Sequence, residues 1–180
     1  MTGEPASPGR RMHSEPSAQT PGTIQSIILL FGFLAFVFTF AGLGGYVTTA
    51  NIESWYATLQ KPSLTPENWV FPVVWNFLYF LMGLSGWLVW RTAGGFAAGG
   101  APLAIYGAQV MLNFSWSVVF FGLHSPGGAL IEIFVLLAAI AANIMAFWRV
   151  NRLAALLLLP YLAWSLFATY LTAMVWLLNK

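Results

Sequence analysis

The chain has 180 residues, of which 59% are hydrophobic and 7% are charged, with seven Lys and Arg against five Asp and Glu. A soluble globular domain carries roughly 25% charged residues, so this composition excludes a soluble enzyme and a disordered chain. The net charge of +2 provides no clustered basic surface for nucleic acid, and the lack of cysteine excludes disulfides and Cys-ligated metals. The composition indicates an integral membrane protein.

Residues 1–22 are rich in Pro, Ser, Gly and Thr and show no helical or strand period, which predicts a disordered tail before a membrane domain at 23–180. The uncharged run at 24–47 is long enough to cross roughly 30 Å of hydrocarbon. A cleavable leader is the alternative, because Arg10 and Arg11 precede this run. The run exceeds the roughly 7–15 residues of a leader's apolar core, so we favour a retained first span.

Four further apolar segments follow the first, at about 66–90, 101–122, 128–148 and 153–178. These runs are continuous rather than alternating, which excludes a β-barrel and predicts an all-α bundle of five transmembrane helices. Short connections make successive helices antiparallel neighbours. Five arginines then fall on one side of the membrane and Lys61 and Lys180 on the other, which predicts the N-terminus inside and the C-terminus outside.

The longest connection, at about 48–65, is expected on the outer side. It ends in the features of a helix start, because Thr65 can cap, Pro66 suits the first helical position and Glu67 complements the positive end of the dipole. We therefore predict that the second helix begins near Pro66.

An aromatic stripe follows on the second helix, where Phe71, Trp75 and Tyr79 recur at positions i, i+4 and i+8. An interfacial aromatic belt explains the outer residues Trp55 and Trp69. Trp75 and Tyr79 lie about two turns deeper, where anchoring at the interface explains them less well.

The third segment carries Gln109, Asn113 and Ser117 at the same spacing, with Trp116 beside them. Amides in hydrocarbon are costly unless they are hydrogen-bonded, so this stripe is expected to face other helices or a cavity. Interhelical bonding and the lining of a ligand cavity are both open, and one stripe can serve both purposes.

Glu132 is the one acid inside an apolar segment, and an intramembrane carboxylate is a functional candidate. Capping of the fourth helix or snorkelling to the interface is the alternative. In the fifth segment Pro160 predicts a kink, and it is followed by Tyr161, Trp164 and Ala168.

The sequence lacks the residue patterns of conventional acid–base enzymes, because it contains no catalytic triad, carboxylate pair or glycine-rich phosphate loop. His13 and His124 are far apart and have no partner at ligand spacing, so we expect no metal site. Aromatic rings and buried amides instead indicate a binder of a flat, apolar, polycyclic ligand.

Several ordered motifs are similar to those of the translocator protein family, also called tryptophan-rich sensory proteins (TspO/MBR). The similarity covers about residues 24–179, and its main motifs are Trp55-Tyr56-x-x-Leu59-x-Lys61-Pro62, Trp69-Val70-Phe71-Pro72-x-x-Trp75, Gln109-x-x-x-Asn113-x-x-Trp116 and Pro160-Tyr161-x-x-Trp164. The resemblance implies a five-helix bundle, usually a homodimer, with a cavity closed by the first loop. It also implies binding of porphyrins or related tetrapyrroles, with no obligatory cofactor.

The residue pattern and the resemblance together define two candidate sets. The candidate ligand-binding residues are Trp75, Tyr79, Gln109, Asn113, Trp116, Trp164 and Ala168. The candidate lid residues are Trp55, Lys61, Pro62 and Leu64, of which Leu64 replaces a tryptophan of the family's loop.

The expected function is a porphyrin-binding sensor, carrier or sink in stress or tetrapyrrole regulation, in a bacterial membrane. One alternative is an enzyme that degrades porphyrin in light, with Trp75 and Trp164 flanking the macrocycle. Another is a sterol or lipid carrier, which is disfavoured because no Lys or Arg follows Tyr170 within five residues.

Overall fold

The structure is a computed structural model that describes residues 22–180. The tail predicted at 1–22 lies outside the described residues except for Gly22. In the described part of the chain, five helical stretches are long and apolar enough to cross a membrane. The prediction of an all-α bundle with five transmembrane helices is confirmed.

The five spans are built from six α-helices, because the last span is broken in two. Their bounds are α1 Thr23–Asn51, α2 Val70–Ala93, α3 Gly100–Ser117, α4 Pro126–Trp148, α5 Arg152–Leu157 and α6 Leu159–Leu178. A π-helical turn extends α1 over Ile52–Tyr56, and a second extends α3 over Val118–Gly122. α1 packs against α2 and α3, α4 packs against α3 and α6, and α5 packs against α2 and α4.

Local sequence signals explain several helix ends. The Ser125 hydroxyl accepts a hydrogen bond from the Gly128 amide at the start of α4, where Pro126 occupies the first turn. The Asn151 side chain caps α5 in the same way. α2 ends at Ala93 and is followed by Gly94, whose φ of 85° is left-handed and favours glycine.

Close contact between α1 and α2 depends on two glycines of α2. A Cβ at Gly83 would lie 3.2 Å from the Leu34 Cα, and one at Gly86 would lie 2.9 Å from the Phe33 and Tyr106 rings. Small residues of this kind allow membrane helices to approach until their backbones nearly touch. Both glycines are therefore required for this packing.

The bundle has two distinct ends. At the first, the Trp87 indole N–H donates to the Ser26 carbonyl at 2.8 Å, which joins the end of α2 to the start of α1. We call this the arginine end, because Arg91 lies in the last turn of α2. The opposite end holds the connection at 57–69, and we call it the loop end.

The first helix is longer than predicted. Instead of stopping near residue 47, it continues as helix to Tyr56, so the connection is 57–69 rather than 48–65. The polar residues in this stretch bond to their own helix, as when the Asn51 amide donates to the Val47 carbonyl at 2.9 Å. The polar side chains beyond the apolar segment thus find hydrogen-bond partners within their own helix.

The second helix starts later than predicted, at Val70 instead of near Pro66. A start at Pro66 would put Pro72 in the helix interior, where a missing N–H and a steric clash cost about 3 kcal/mol. A start at Val70 places Pro72 in the first turn, where no intrahelical N–H is needed. Glu67 accepts a hydrogen bond from the Trp69 indole at 2.6 Å.

The last span is interrupted at Leu158, between α5 and α6. Pro160 is the second residue of α6, a position that tolerates its missing N–H. The interruption falls two residues before Pro160, in the part of the span where the sequence predicts a kink.

The connection at the loop end is fastened to the last helix. The backbone N–H of Gln60 donates to the Asn179 Oδ1 atom, and the Asn179 side-chain N–H donates to the backbone carbonyl of Gln60, each at 2.9 Å. The Lys61 ammonium lies 4.6 Å from the centre of the Tyr56 ring. These contacts hold the first part of the connection against the end of the first span and the end of the last.

Replacement of Asn179 by Ala removes both hydrogen bonds to Gln60. We expect amide hydrogen exchange in 57–69 to accelerate about 5- to 30-fold, because two neutral hydrogen bonds contribute about 1–2 kcal/mol to local stability. The matched control is Lys180→Ala at the neighbouring position, which is expected to leave exchange in this segment unchanged. Equal exchange in the Asn179→Ala variant and the parent would contradict the fastening role.

Candidate functional site

A hydrogen-bonded network of amides and tyrosines crosses the interior of the bundle. The Tyr79 hydroxyl donates to the Asn113 Oδ1 atom at 2.7 Å. The side-chain N–H groups of Gln109 and Asn113 donate to the Tyr161 hydroxyl oxygen at 3.1 and 3.0 Å. The Asn143 side-chain N–H donates to the Gln109 Oε1 atom at 3.2 Å. The network joins α2, α3, α4 and α6.

Its members are almost completely shielded, since Gln109, Asn143 and Tyr161 are fully buried and Asn113 is 5% exposed. Each buried amide would cost free energy if it had no partner, so the hydrogen bonds are necessary for this arrangement. Within residues 22–180, the Asn143 Oδ1 atom and the Ser165 hydroxyl are buried without a hydrogen-bond partner. The network therefore retains bonding capacity that its own residues do not use.

Aromatic rings flank the network on α2 and α6. Trp75 stacks on Tyr79 with 5.4 Å between ring centres and meets the Tyr161 ring edge-on at 6.1 Å. Phe71 meets Trp164 at 6.0 Å. Trp75 and Trp164 are both only half-buried. Part of each indole therefore remains accessible beside a polar interior.

The structure brings together most of the predicted ligand-binding residues. Trp75 and Tyr79 lie in contact, and Gln109 and Asn113 share the Tyr161 hydroxyl. Ala168, one turn beyond Trp164 on α6, is half-buried and packs against the main core.

Trp116 occupies a different position from the other six. It stacks on Phe120 at 5.0 Å, in an aromatic cluster that also contains Tyr56 and Phe121. Trp116 also packs against the main core, so it lies between this cluster and the rest of the bundle. Its indole N–H is buried and has no acceptor in the described chain.

The predicted lid residues are divided between two elements. Trp55 belongs to the helical extension of α1 and stacks on the His124 ring at 4.5 Å, so its assignment to the loop is wrong. Lys61, Pro62 and Leu64 do lie in the connection. Pro62 is buried, whereas Leu64 is 63% exposed.

Glu132 joins α4 to α3 by accepting a hydrogen bond from the Ser115 hydroxyl at 3.0 Å. The cap of α4 is Ser125, so the capping alternative for Glu132 is wrong. The second carboxylate oxygen is buried and has no partner within residues 22–180. In this same range, no three His, Asp or Glu side chains come close enough to hold a metal ion.

Asn143 is the member of the network that the sequence reasoning missed. It is the only amide side chain in the fourth apolar segment. The argument applied to Gln109 and Asn113, that an amide in hydrocarbon needs a partner, also applies to it. The central position of Tyr161 had no comparable signal, because a tyrosine in a membrane helix can equally lie at the interface.

The fold and this site define a multi-pass integral membrane protein with a polar interior flanked by tryptophans. The TspO/MBR family model matches residues 33–177, and the chain belongs to this family.

Relatives come from animals, archaea and bacteria. The chain is 46% identical over 123 residues to the translocator protein of Homo sapiens, covering 68% of this chain and 73% of that protein. It is 37% identical over 154 residues to the tryptophan-rich protein TspO of Archaeoglobus fulgidus, covering 86% and 99%. Identity to the tryptophan-rich sensory protein of Cereibacter sphaeroides is 38% over 140 residues, covering 76% and 84%.

Replacement of Tyr161 by Phe removes the hydroxyl that accepts two amide hydrogen bonds. We expect a loss of about 1–3 kcal/mol in the free energy of unfolding, because buried N–H groups of Gln109 and Asn113 lose their acceptor. The measurement is unfolding in detergent micelles, followed by circular dichroism. Tyr170→Phe is the control, since Tyr170 is 40% exposed on the same helix and should change stability by less than about 0.5 kcal/mol. Similar losses in both variants would contradict the central role of Tyr161.

Proposed function

We propose that this protein binds a porphyrin or a related tetrapyrrole in the membrane and acts as a sensor, carrier or sink in stress or tetrapyrrole regulation. Family membership and the names of its relatives, which describe translocation and sensing, support the broader role of a membrane sensor or transporter. The observation that carries the tetrapyrrole proposal is the pairing of half-buried indoles with a buried amide network.

The chemistry of a tetrapyrrole matches this combination. Its macrocycle is flat and apolar, so it can stack on the accessible parts of Trp75 and Trp164. Its pyrrole nitrogens and carboxyl groups need hydrogen-bond partners away from water. The unpartnered Asn143 Oδ1 atom and Ser165 hydroxyl are suited to that task. Pockets that combine apolar walls with a few polar groups are typical of small-molecule sites.

Light-dependent porphyrin degradation is a second candidate, favoured by one feature of the site. Trp75 lies within 5.4 Å of Tyr79 and 6.1 Å of Tyr161, measured between ring centres. Three oxidisable rings would thus stand beside the bound macrocycle, with dioxygen as the oxidant. Conversion of the porphyrin spectrum under light and oxygen would favour degradation, and a shift on binding without conversion would favour a sensor or carrier.

Porphyrin titration of the purified protein tests the site, because bound porphyrin should quench tryptophan fluorescence saturably. We expect Trp75→Ala or Trp164→Ala to weaken affinity about 5- to 150-fold, since lost stacking and burial cost about 1–3 kcal/mol. Phe at either position should lose much less, because an aromatic ring remains.

Trp148→Ala is the matched control for this experiment. Trp148 is 48% exposed at the opposite end of α4, so its removal should leave porphyrin affinity within about twofold. If folded Trp75→Ala and Trp164→Ala variants bind porphyrin like the parent, the two indoles are packing residues and the proposed site is wrong.

We further propose that the protein lies in a bacterial membrane as a homodimer with its N-terminus inside. The positive-inside rule supports the orientation, because Arg91, Arg149 and Arg152 all lie at the arginine end. Ala104 and Ala108 are exposed on α3, and small residues four positions apart allow close approach of a second helix.

Reporter fusions to the two termini test this orientation. Five spans require the termini to lie on opposite sides of the membrane. We expect a cytoplasmic reporter to be active at the N-terminus and an external reporter to be active at the C-terminus. The reverse pattern would contradict the proposed orientation, while leaving the span count intact.

A further inference from the structure

We propose that the arginine end binds the headgroup of an anionic phospholipid, a site separate from the proposed tetrapyrrole site. Three arginines from different parts of the chain form it. Arg91 lies in the last turn of α2, Arg149 directly follows α4, and Arg152 begins α5. All three side chains are exposed.

The charge at this end is unbalanced within the described residues. The acids of residues 22–180 are Glu53, Glu67 and Glu132. Glu53 and Glu67 flank the connection at the loop end, and Glu132 lies near the start of α4, which is also toward the loop end. Because these acids lie toward the loop end, the arginine end carries three positive charges and no carboxylate side chain within residues 22–180.

A direct hydrogen bond holds the arginines of separate spans side by side. The Asn151 side-chain N–H donates to the Thr92 hydroxyl at 2.8 Å. Thr92 follows Arg91, and Asn151 immediately precedes Arg152. The bond therefore fixes the end of α2 beside the turn between α4 and α5, which places the charged groups along one edge.

Two of the guanidinium groups lie over tryptophan rings. The Arg91 Cζ atom lies 5.3 Å from the Trp87 ring centre, and the Arg152 Cζ atom lies 5.7 Å from that of Trp148. A guanidinium that stacks through its face keeps its N–H donors free along the edge. Tryptophans at the ends of membrane spans lie at the depth of the lipid headgroups. The free donors are therefore held at the level of the lipid phosphates.

The surroundings favour a lipid over a free phosphate ion. Leu153 and Leu156 of α5 are 56% and 46% exposed, directly beyond Arg152 in the chain. The acyl chain of a lipid can cover such an apolar surface while the lipid's phosphate accepts hydrogen bonds from the arginines. The planar guanidinium group suits phosphate because two of its N–H groups can bind it at once. A zwitterionic headgroup adds an ammonium group that three arginines repel, so a net negative headgroup fits better.

Native mass spectrometry of the full-length protein, titrated with phosphatidylglycerol or phosphatidylcholine, tests this site. Each arginine near a membrane surface contributes roughly fivefold in affinity for anionic lipid. The triple variant Arg91→Gln/Arg149→Gln/Arg152→Gln should therefore bind phosphatidylglycerol about 100-fold more weakly. The control is Lys61→Gln/Lys180→Gln, which removes charge from the loop end and should change binding by less than about twofold.

Single variants and a Lys variant keep the test decisive if the triple Gln variant does not fold. Each single Arg→Gln variant should lose about fivefold, and Lys at all three positions should bind with intermediate affinity, because Lys keeps the charge and loses the planar fork. Unchanged phosphatidylglycerol binding in these variants, or an equal loss in the Lys61/Lys180 control, would overturn the proposal. Equal competition by soluble glycerol phosphate would show a free-phosphate site and would also overturn it.

Discussion

The structure depends on the hydroxyl oxygen of Tyr161, which accepts hydrogen bonds from Gln109 and Asn113 in the interior of the bundle. Water is excluded there, so each amide must find its partner among neighbouring helices. Through this one atom, α6 is held to α3. The bonds that Asn143 donates to Gln109 and Tyr79 donates to Asn113 extend the connection to α4 and α2. Apolar packing alone would not select one rotation for each helix, because lipid chains are as apolar as the side chains. The hydrogen-bonded network selects the rotation of each helix, and it thereby determines the positions of the flanking indoles of Trp75 and Trp164.

The number of spans and the polar stripe could be predicted from sequence because they follow from the cost of exposing polar groups to hydrocarbon. That cost makes long uncharged runs helical and makes Gln109 and Asn113 face inward. Helix ends were less predictable. The extension of α1 to Tyr56 depends on packing against Phe120 and Phe121, which come from a segment more than sixty residues away. Pro72 carries a local signal, and its position explains why α2 begins at Val70.

In the candidate site, too, features of a single helix could be predicted from the sequence, whereas contacts between helices could not. The aromatic stripe of Trp75 and Tyr79 is a property of one helix, and its helical spacing is visible in the sequence. The stacking of Trp116 on Phe120 is likewise an i, i+4 pair of one span. Its place between the main core and the aromatic cluster that includes Tyr56 is not visible, because it depends on contacts with other helices. Sequence spacing could place these rings on a helix face but could not assign that face to a partner.

The pairing of Gln60 with Asn179 joins two residues separated by 119 positions, one after the first span and one after the last. A ribosome releases the chain from its N-terminus onward, at about 5–20 residues per second. The first connection therefore leaves the ribosome many seconds before its partner has been made. During that interval four spans can insert while the connection has no contact with Asn179. A chain that stops before Asn179 can therefore have its membrane helices and still lack the two hydrogen bonds that fasten its first connection.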